Sequence, residues 1–233
     1  EKALDHFSNI PPVEIKPDNT PVTIADRQTE VVIKETILKS FPDAKIVGEE
    51  TGGEINEDEY WIIDPIDGTK LFIRGIKIWA VLLALVRKNE IALGVSYIPG
   101  MNELLYAEKG SGAFLNGKRV HVSTISKLKD AFICFTDLAG VTRNNLLPLI
   151  DASFSARGIG DGFAYHLVVT GRIDLFTEPS PALWDIAPFQ LIIKEAGGKF
   201  TSYDNKEPIA QAPVIASNGL IHEEALEILS KKV

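Results

Sequence analysis

The 233-residue chain holds one cysteine and one methionine, no excess of positive charge and no long apolar run. A single thiol makes no internal disulfide. Cys134 lies in the apolar run 131–135 and reads as a core residue of a buried strand. Such cysteine usage fits a reducing compartment, and a cytoplasmic location is expected. Lys and Arg number 24 against 32 Asp and Glu, a net charge of −8. That balance argues against a nucleic-acid binder that works by neutralising phosphates. It leaves a phosphorylated substrate open, because a bound metal reverses the sign of a site locally. The longest purely apolar stretch, 79–86, is far short of a membrane span, so no membrane partner is expected. The opening EKALDHFSNI lacks a basic-then-apolar signal pattern. It begins with Glu1 and not Met, and removal of a few preceding residues is expected. What is present is ordinary for a folded domain: 45% hydrophobic and 24% charged residues, enough for a real core and too apolar for a disordered chain.

No repeat or low-complexity linker interrupts the chain. Ile33, Ile37 and Phe41 recur every four residues and predict a helix over 26–41, stopped by Pro42. Strands are expected at 45–48, 60–63, 79–86, 91–97 and 103–108. Asn116-Gly117 predicts a hairpin turn between 113–115 and 119–122; Lys118 and Arg119 there read as a solvated tip. Beyond it the pattern alternates: strand 131–136, helix 144–150, helix 163–170, strand 173–177, helix 184–196 stopped by Gly197-Gly198, strand 213–217 and helix 221–231. Strand runs first and mixed elements later predict α+β layers over a doubly wound parallel sheet. A boundary near 125 separates a region 1–125, with an acidic turn, from a region 126–233, the two forming one compact unit.

The most informative stretch is WIIDPIDGT, 61–69. Three apolar residues carry a strand to Asp64, Pro65 stiffens the turn, Asp67 follows, and Gly68-Thr69 open a short helix at 70–73. Two carboxylates on one turn repel, and a hard divalent cation such as Mg²⁺ relieves the conflict. The amides of Gly68 and Thr69 then face outward at a helix start, where a phosphate fits. The alternative is an ordinary turn, since Asp, Pro and Gly all favour turns. Spacing excludes an EF-hand and a D-x-D aspartyl nucleophile. Glu49 follows a strand as a ligand carboxylate would. Asp185 and Asp26 open helices, so each reads equally as a cap.

The segments VTIADR (22–27), GEE (48–50), DPIDGT (64–69) and WDIAP (184–188), in that order and spacing, resemble the inositol monophosphatase family of Mg²⁺-dependent, lithium-sensitive phosphatases. The likeness runs from about Lys16 to the C-terminus. It implies a layered α-β-α-β-α sandwich, assembled as a homodimer. It implies two or three Mg²⁺ ions, and the choice between Mg²⁺ and Mn²⁺ stays open. Glu49, Asp64 and the Ile66 carbonyl would hold one ion; Asp64, Asp67 and Asp185 a second; a third leans on Glu49. Thr69 and Asp26 would orient and deprotonate the attacking water, and the Gly68 and Thr69 amides would bind phosphate. Two departures stand out: the opening helix before Lys16, Asp18 and Thr20 looks short, and WD-x-A-A reads Trp184-Asp185-Ile186-Ala187-Pro188, with Pro188 expected in the helix's first turn, where it is tolerated.

Family membership leaves the substrate open. GTKLFIRG (68–75), GEETGG (48–53), TDLAG (136–140) and RGIGDGFAY (157–165) resemble the histidinol-phosphatase branch. Histidinol carries an ammonium and an imidazole, and a carboxylate at Asp161 suits either far better than the serine that inositol-specific members carry there. Glu178 matches a substrate-side family position; Asp137 is a weaker candidate. Asp161 as a helix cap and Glu178 as a surface residue are the bland alternatives. The four histidines lack metal-ligand spacing; His166 reads as packed or surface. The expected activity is hydrolysis of L-histidinol phosphate, a small phosphorylated metabolite, in histidine biosynthesis. The alternatives are an inositol-1-monophosphatase or broad sugar phosphatase, and, outside enzymes, a transcription- or RNA-associated protein.

Overall fold

The computed structural model describes residues 1–55, 59–136, 142–207 and 212–230. Its spine is β4 (Glu59–Asp67), whose side chains alternate between two faces as a strand's must. Trp61 and Ile63 pack with Ile37 of α2 (Ile24–Ser40) and with Leu85 of β5 (Ala80–Arg87). Tyr60 and Ile62 pack on the opposite side with Ala187 of α6 (Leu183–Glu195). A parallel neighbour, β3 (Ile46–Gly48), lies at one edge. Beyond β5 the sheet continues antiparallel through β6 (Glu90–Ile98), β7 (Glu103–Glu108), β8 (Gly112–Leu115) and β9 (Lys118–Val120), seven strands among the described residues. Asn116 and Gly117 both take positive φ in the predicted hairpin turn.

The second sheet has five strands in the order β11 (Ser155–Gly158), β10 (Phe132–Phe135), β12 (Leu175–Glu178), β14 (Val214–Ser217), β13 (Lys199–Ser202). β10 runs parallel to β11 and β12, while β14 is antiparallel to β12 and β13. Alternation again assigns the faces. Phe176, Val214 and Ala216 pack inward with Tyr165 and Val168 of α5 (Asp161–Val169) and with Phe189 and Ile192 of α6. Leu175 and Ile215 pack outward with Leu146 and Leu149 of α4 (Thr142–Ala152) and Leu226 and Leu229 of α7 (His222–Leu229). The layers are therefore α1 (Lys2–Phe7) and α2, the large sheet, α5 and α6, the small sheet, then α4 and α7. This is the α+β sandwich expected from the sequence.

Several elements differ from that expectation. α1, β11, β13 and the ribbon of β1 (Val13–Ile15) with β2 (Pro21–Thr23) are three to six residues long, too short for periodicity to register. Trp79 precedes its strand and is buried against Phe7 and Phe72, with ring centroids 5.6 and 5.1 Å away. Pro188 lies six positions into α6 and not in its first turn. β6 approaches so closely there that a Cβ on Gly94 would stand 2.4 Å from the Pro188 carbonyl oxygen. Among the described residues no helix is long and apolar enough to cross a membrane.

Candidate active site

A regular strand sends residues three apart to opposite faces. β4 avoids this, because its register against β5 shifts between Asp64 and Asp67 and both carboxylates reach one cavity. The Ile66 amide donates to Asp64 Oδ1 at 3.0 Å. Gly68, at φ +80°, turns the chain into the four-residue helix α3 (Thr69–Phe72), a conformation that costs a side-chain-bearing residue but not glycine. The third carboxylate, Asp185, comes from the first turn of α6, where its Oδ2 accepts the Ala182 amide at 2.7 Å. Capping thus engages one oxygen of Asp185 without removing the residue from the cavity.

Asp64, Asp67 and Asp185 each offer an oxygen within 4.8 Å of the others. They line a cavity of about 140 Å³ together with Glu49, Ile66, Gly68, Thr69 and Asp161. A larger cavity of about 480 Å³, between β4–β6 and α6, contains none of these residues. Burial raises the Asp64 carboxyl well above its usual range, reinforced by Glu49, Asp67 and Asp185. Asp67 is likewise raised by burial, then by Asp161 and Asp185, against the Gly162 amide that donates to its Oδ2 at 2.7 Å. Burial pushes Asp185 up to about 7, with Glu49 and Asp161 adding to the shift against the Ala182 hydrogen bond. Crowded buried carboxylates of this kind hold a proton or a cation. An all-oxygen donor set in a small polar cavity suits Mg²⁺.

Glu49 reaches the cavity from the turn after β3. Lys16 Nζ lies 2.9 Å from its Oε1 and 2.6 Å from Glu50 Oε1. Burial pulls the Lys16 ammonium down, but its bonds to Glu50 and Glu49 prevail and raise it to about 12. Asp26 is fully buried at the start of α2. Its Oδ2 accepts the Thr23 amide and hydroxyl at 2.8 and 2.7 Å, and its Oδ1 faces the Thr69 hydroxyl at 3.2 Å. That hydroxyl also lies 2.9 Å from the Ile66 carbonyl oxygen. Asp26 is therefore both the third-position partner of the Thr23 cap and the partner of Thr69.

Asp161 is the first residue of α5, one past the cap position held by Gly160; it stands at φ +56° and lines the cavity. Burial raises its carboxyl, against the pull of Lys70. Strain at a residue facing a cavity is a mark of a functional position. Glu178 stands behind, on β12 and 7% exposed, accepting from Tyr165 and Thr136 hydroxyls at 2.9 and 3.2 Å. Burial, then Asp185 and Asp161, push Glu178 up to about 8. Its surface alternative is excluded. Asp137 and the rest of TDLAG after Thr136 lie outside the described residues. Among the described residues no histidine lines the cavity; His166 is packed, its Nε2 at 2.8 Å from Ser96 Oγ. Cys134 is buried, with its thiol pushed up to about 11 by burial.

The model of the inositol monophosphatase family matches residues 3–233. The chain belongs to that family. This phosphatase is 37% identical over 228 residues to the histidinol-phosphatase of Mycobacterium tuberculosis, with 94% of this chain and 88% of that protein covered. It is 38% identical over 214 residues to the fructose-1,6-bisphosphatase/inositol-1-monophosphatase of Thermotoga maritima, covering 91% and 83%. An IMPase/NADP phosphatase solved with Mg²⁺ and phosphate superposes with a TM-score of 0.90 at 28% identity, covering 98% of this chain and 90% of that one. The phosphatase is a phosphoric monoester hydrolase for small phosphorylated substrates, and its acidic cluster suits a metal. Sequence reasoning missed Lys70 in the cavity lining and Tyr165 behind it. Lys70 follows Thr69 directly, a signal that was available; Tyr165 reads only as one more apolar residue of a helix.

Proposed function

We propose that this phosphatase hydrolyses L-histidinol phosphate to L-histidinol and phosphate, with two or three Mg²⁺ ions and with Mn²⁺ as a substitute. The observation that carries the substrate is Asp161, a strained carboxylate held in the lining of the cavity. Across the metal turn it stands beside Gly68, whose hypothetical Cβ would lie 3.3 Å from Asp161 Oδ2. A cationic leaving group meets a carboxylate there, with Glu178 behind it. The similarity to a histidinol-phosphatase over 94% of the chain supports the same reading.

Glu49, Asp64, the Ile66 carbonyl, Asp67 and Asp185 would hold the ions. Bound Mg²⁺ supplies a nucleophile from water near neutral pH and neutralises phosphoryl oxygens. The chain's own groups do the rest. The Gly68 and Thr69 amides cradle the phosphate where α3 begins. When the Thr69 hydroxyl donates to Asp26 Oδ1, its lone pairs are free to accept a proton from the attacking water. Asp26 Oδ1 then takes the hydroxyl proton, while its Oδ2 stays fixed by Thr23. Water oxygen bonds to phosphorus, the P–O bond to the alcohol breaks, and the leaving alkoxide takes a proton from solvent water.

Comparing kcat/KM for histidinol phosphate and inositol 1-phosphate tests the assignment. A preference of about tenfold or more for the inositol ester overturns it in favour of an inositol monophosphatase. The fructose-bisphosphatase/inositol-monophosphatase relative at 38% identity makes that the reading to beat.

A further inference from the structure

The carboxylates at the cavity stand on unequal supports. Asp64 and Asp67 belong to an interior strand, and Asp185 to a thirteen-residue helix. Glu49 comes on a short turn, closed by the Gly48 and Gly52 amides that donate to each other's carbonyls at 3.1 and 2.9 Å. Beneath this turn lies Glu30, fully buried on α2, one helical turn after Asp26. Its Oε2 accepts the Glu50 amide at 2.8 Å. Its Oε1 accepts the Thr51 hydroxyl and stands 3.0 Å from Lys34 Nζ. The contact is close enough to require glycine at 48, where a Cβ would lie 2.2 Å from Glu30 Oε1.

A buried carboxylate carries a desolvation cost, and an apolar side chain would fill the same space without it. What the carboxylate adds is direction. Two of its three partners belong to the turn, at the two residues that follow Glu49. With the Glu49 amide donating to the Ile63 carbonyl at 3.1 Å, the backbone is fixed on both sides of the Glu49 side chain.

We propose that Glu30 is a positioning residue, which holds the 48–52 turn so that Glu49 presents its carboxylate to the cation. This rests on the Mg²⁺-phosphatase reading of the cavity. The test is calorimetric titration of Mg²⁺ into the metal-stripped full chain, paired with the Mg²⁺ dependence of turnover. Glu30→Gln keeps the shape and removes the charge. It is expected to weaken Mg²⁺ binding about tenfold, the lower end for partners that orient metal ligands, while kcat at saturating Mg²⁺ stays within about threefold of wild type. Thr51→Val is expected to shift affinity the same way by a smaller factor, and it decides the matter if Glu30→Gln does not fold. Leu226→Ala, in the far α4–α7 cluster, lowers the melting temperature and leaves Mg²⁺ affinity unchanged. Wild-type affinity in Glu30→Gln, or equal weakening in Leu226→Ala, overturns the proposal. Failure of the wild-type chain to bind Mg²⁺ overturns the metal reading beneath it, a distinct result.

Discussion

At the scale of single residues, the site is built by dividing each carboxylate between two tasks. Asp26, Asp67 and Asp185 each commit one oxygen to a backbone amide; the other oxygen of Asp26 faces Thr69. Buried acids around the cavity also give a pH signature. Asp185 and Glu178 are raised from ordinary values of 3.8 and 4.5 to about 7 and about 8. The folded chain then binds more protons than the unfolded chain across that interval, so stability falls as pH rises through it. The melting temperature in EDTA is expected to decline from about pH 4 to pH 8. Saturating Mg²⁺ should flatten the part due to Asp185, since bound metal takes the proton's place. A melting temperature that rises over this range with EDTA present contradicts the assignment. Asp161→Asn tests the substrate: KM for histidinol phosphate should rise by about tenfold or more, with little change for inositol 1-phosphate. Equal effects on the two esters would remove the reason for naming Asp161.

At the scale of elements, α5 and β4 meet at the Gly162 amide. A Cβ at Gly162 would stand 2.7 Å from Asp67 Oδ2 and 3.2 Å from the Ala80 Cβ. Helix propensity alone makes Gly→Ala stabilising by about 1 kcal/mol. Gly162→Ala should instead destabilise, by about 1–3 kcal/mol in urea unfolding, because the packed strand has no room to retreat. It should also weaken Mg²⁺ binding, because Asp67 must move. A gain in stability with unchanged metal affinity would show that α5 shifts freely.

At the scale of the whole molecule, the central helical layer joins the two sheets and carries Asp161 and Asp185 at its helix starts. Phe189 of α6 stacks on Tyr165 of α5 with centroids 4.4 Å apart, and the Tyr165 hydroxyl donates to Glu178 on the small sheet. Phe189→Ala should cost about 3–5 kcal/mol of stability and lower kcat/KM as well. Leu226→Ala, in the outer layer, should cost about 2–5 kcal/mol and leave kcat/KM near wild type. Denaturant unfolding and steady-state kinetics on both variants check the contrast.

The acidic turn was legible in the chain because its chemistry is local. Asp64, Pro65, Asp67 and Gly68 declare a strand end, a stiff turn and a helix start within five residues, and the helices and longer strands announce their own periods. Glu49, Asp185 and Asp161 were legible as candidates through family resemblance, while their convergence depended on pairings between residues as distant as 67 and 162. Tertiary structure alone decided how the register shift turns Asp67 toward Asp64 and how deeply Glu178 is buried. It also revealed that Glu30 lies under the turn bearing Glu49. The physical reason is that burial, close approach and shared protons are properties of neighbours in space, whereas turn preference and hydrophobic period are carried by neighbours in the chain.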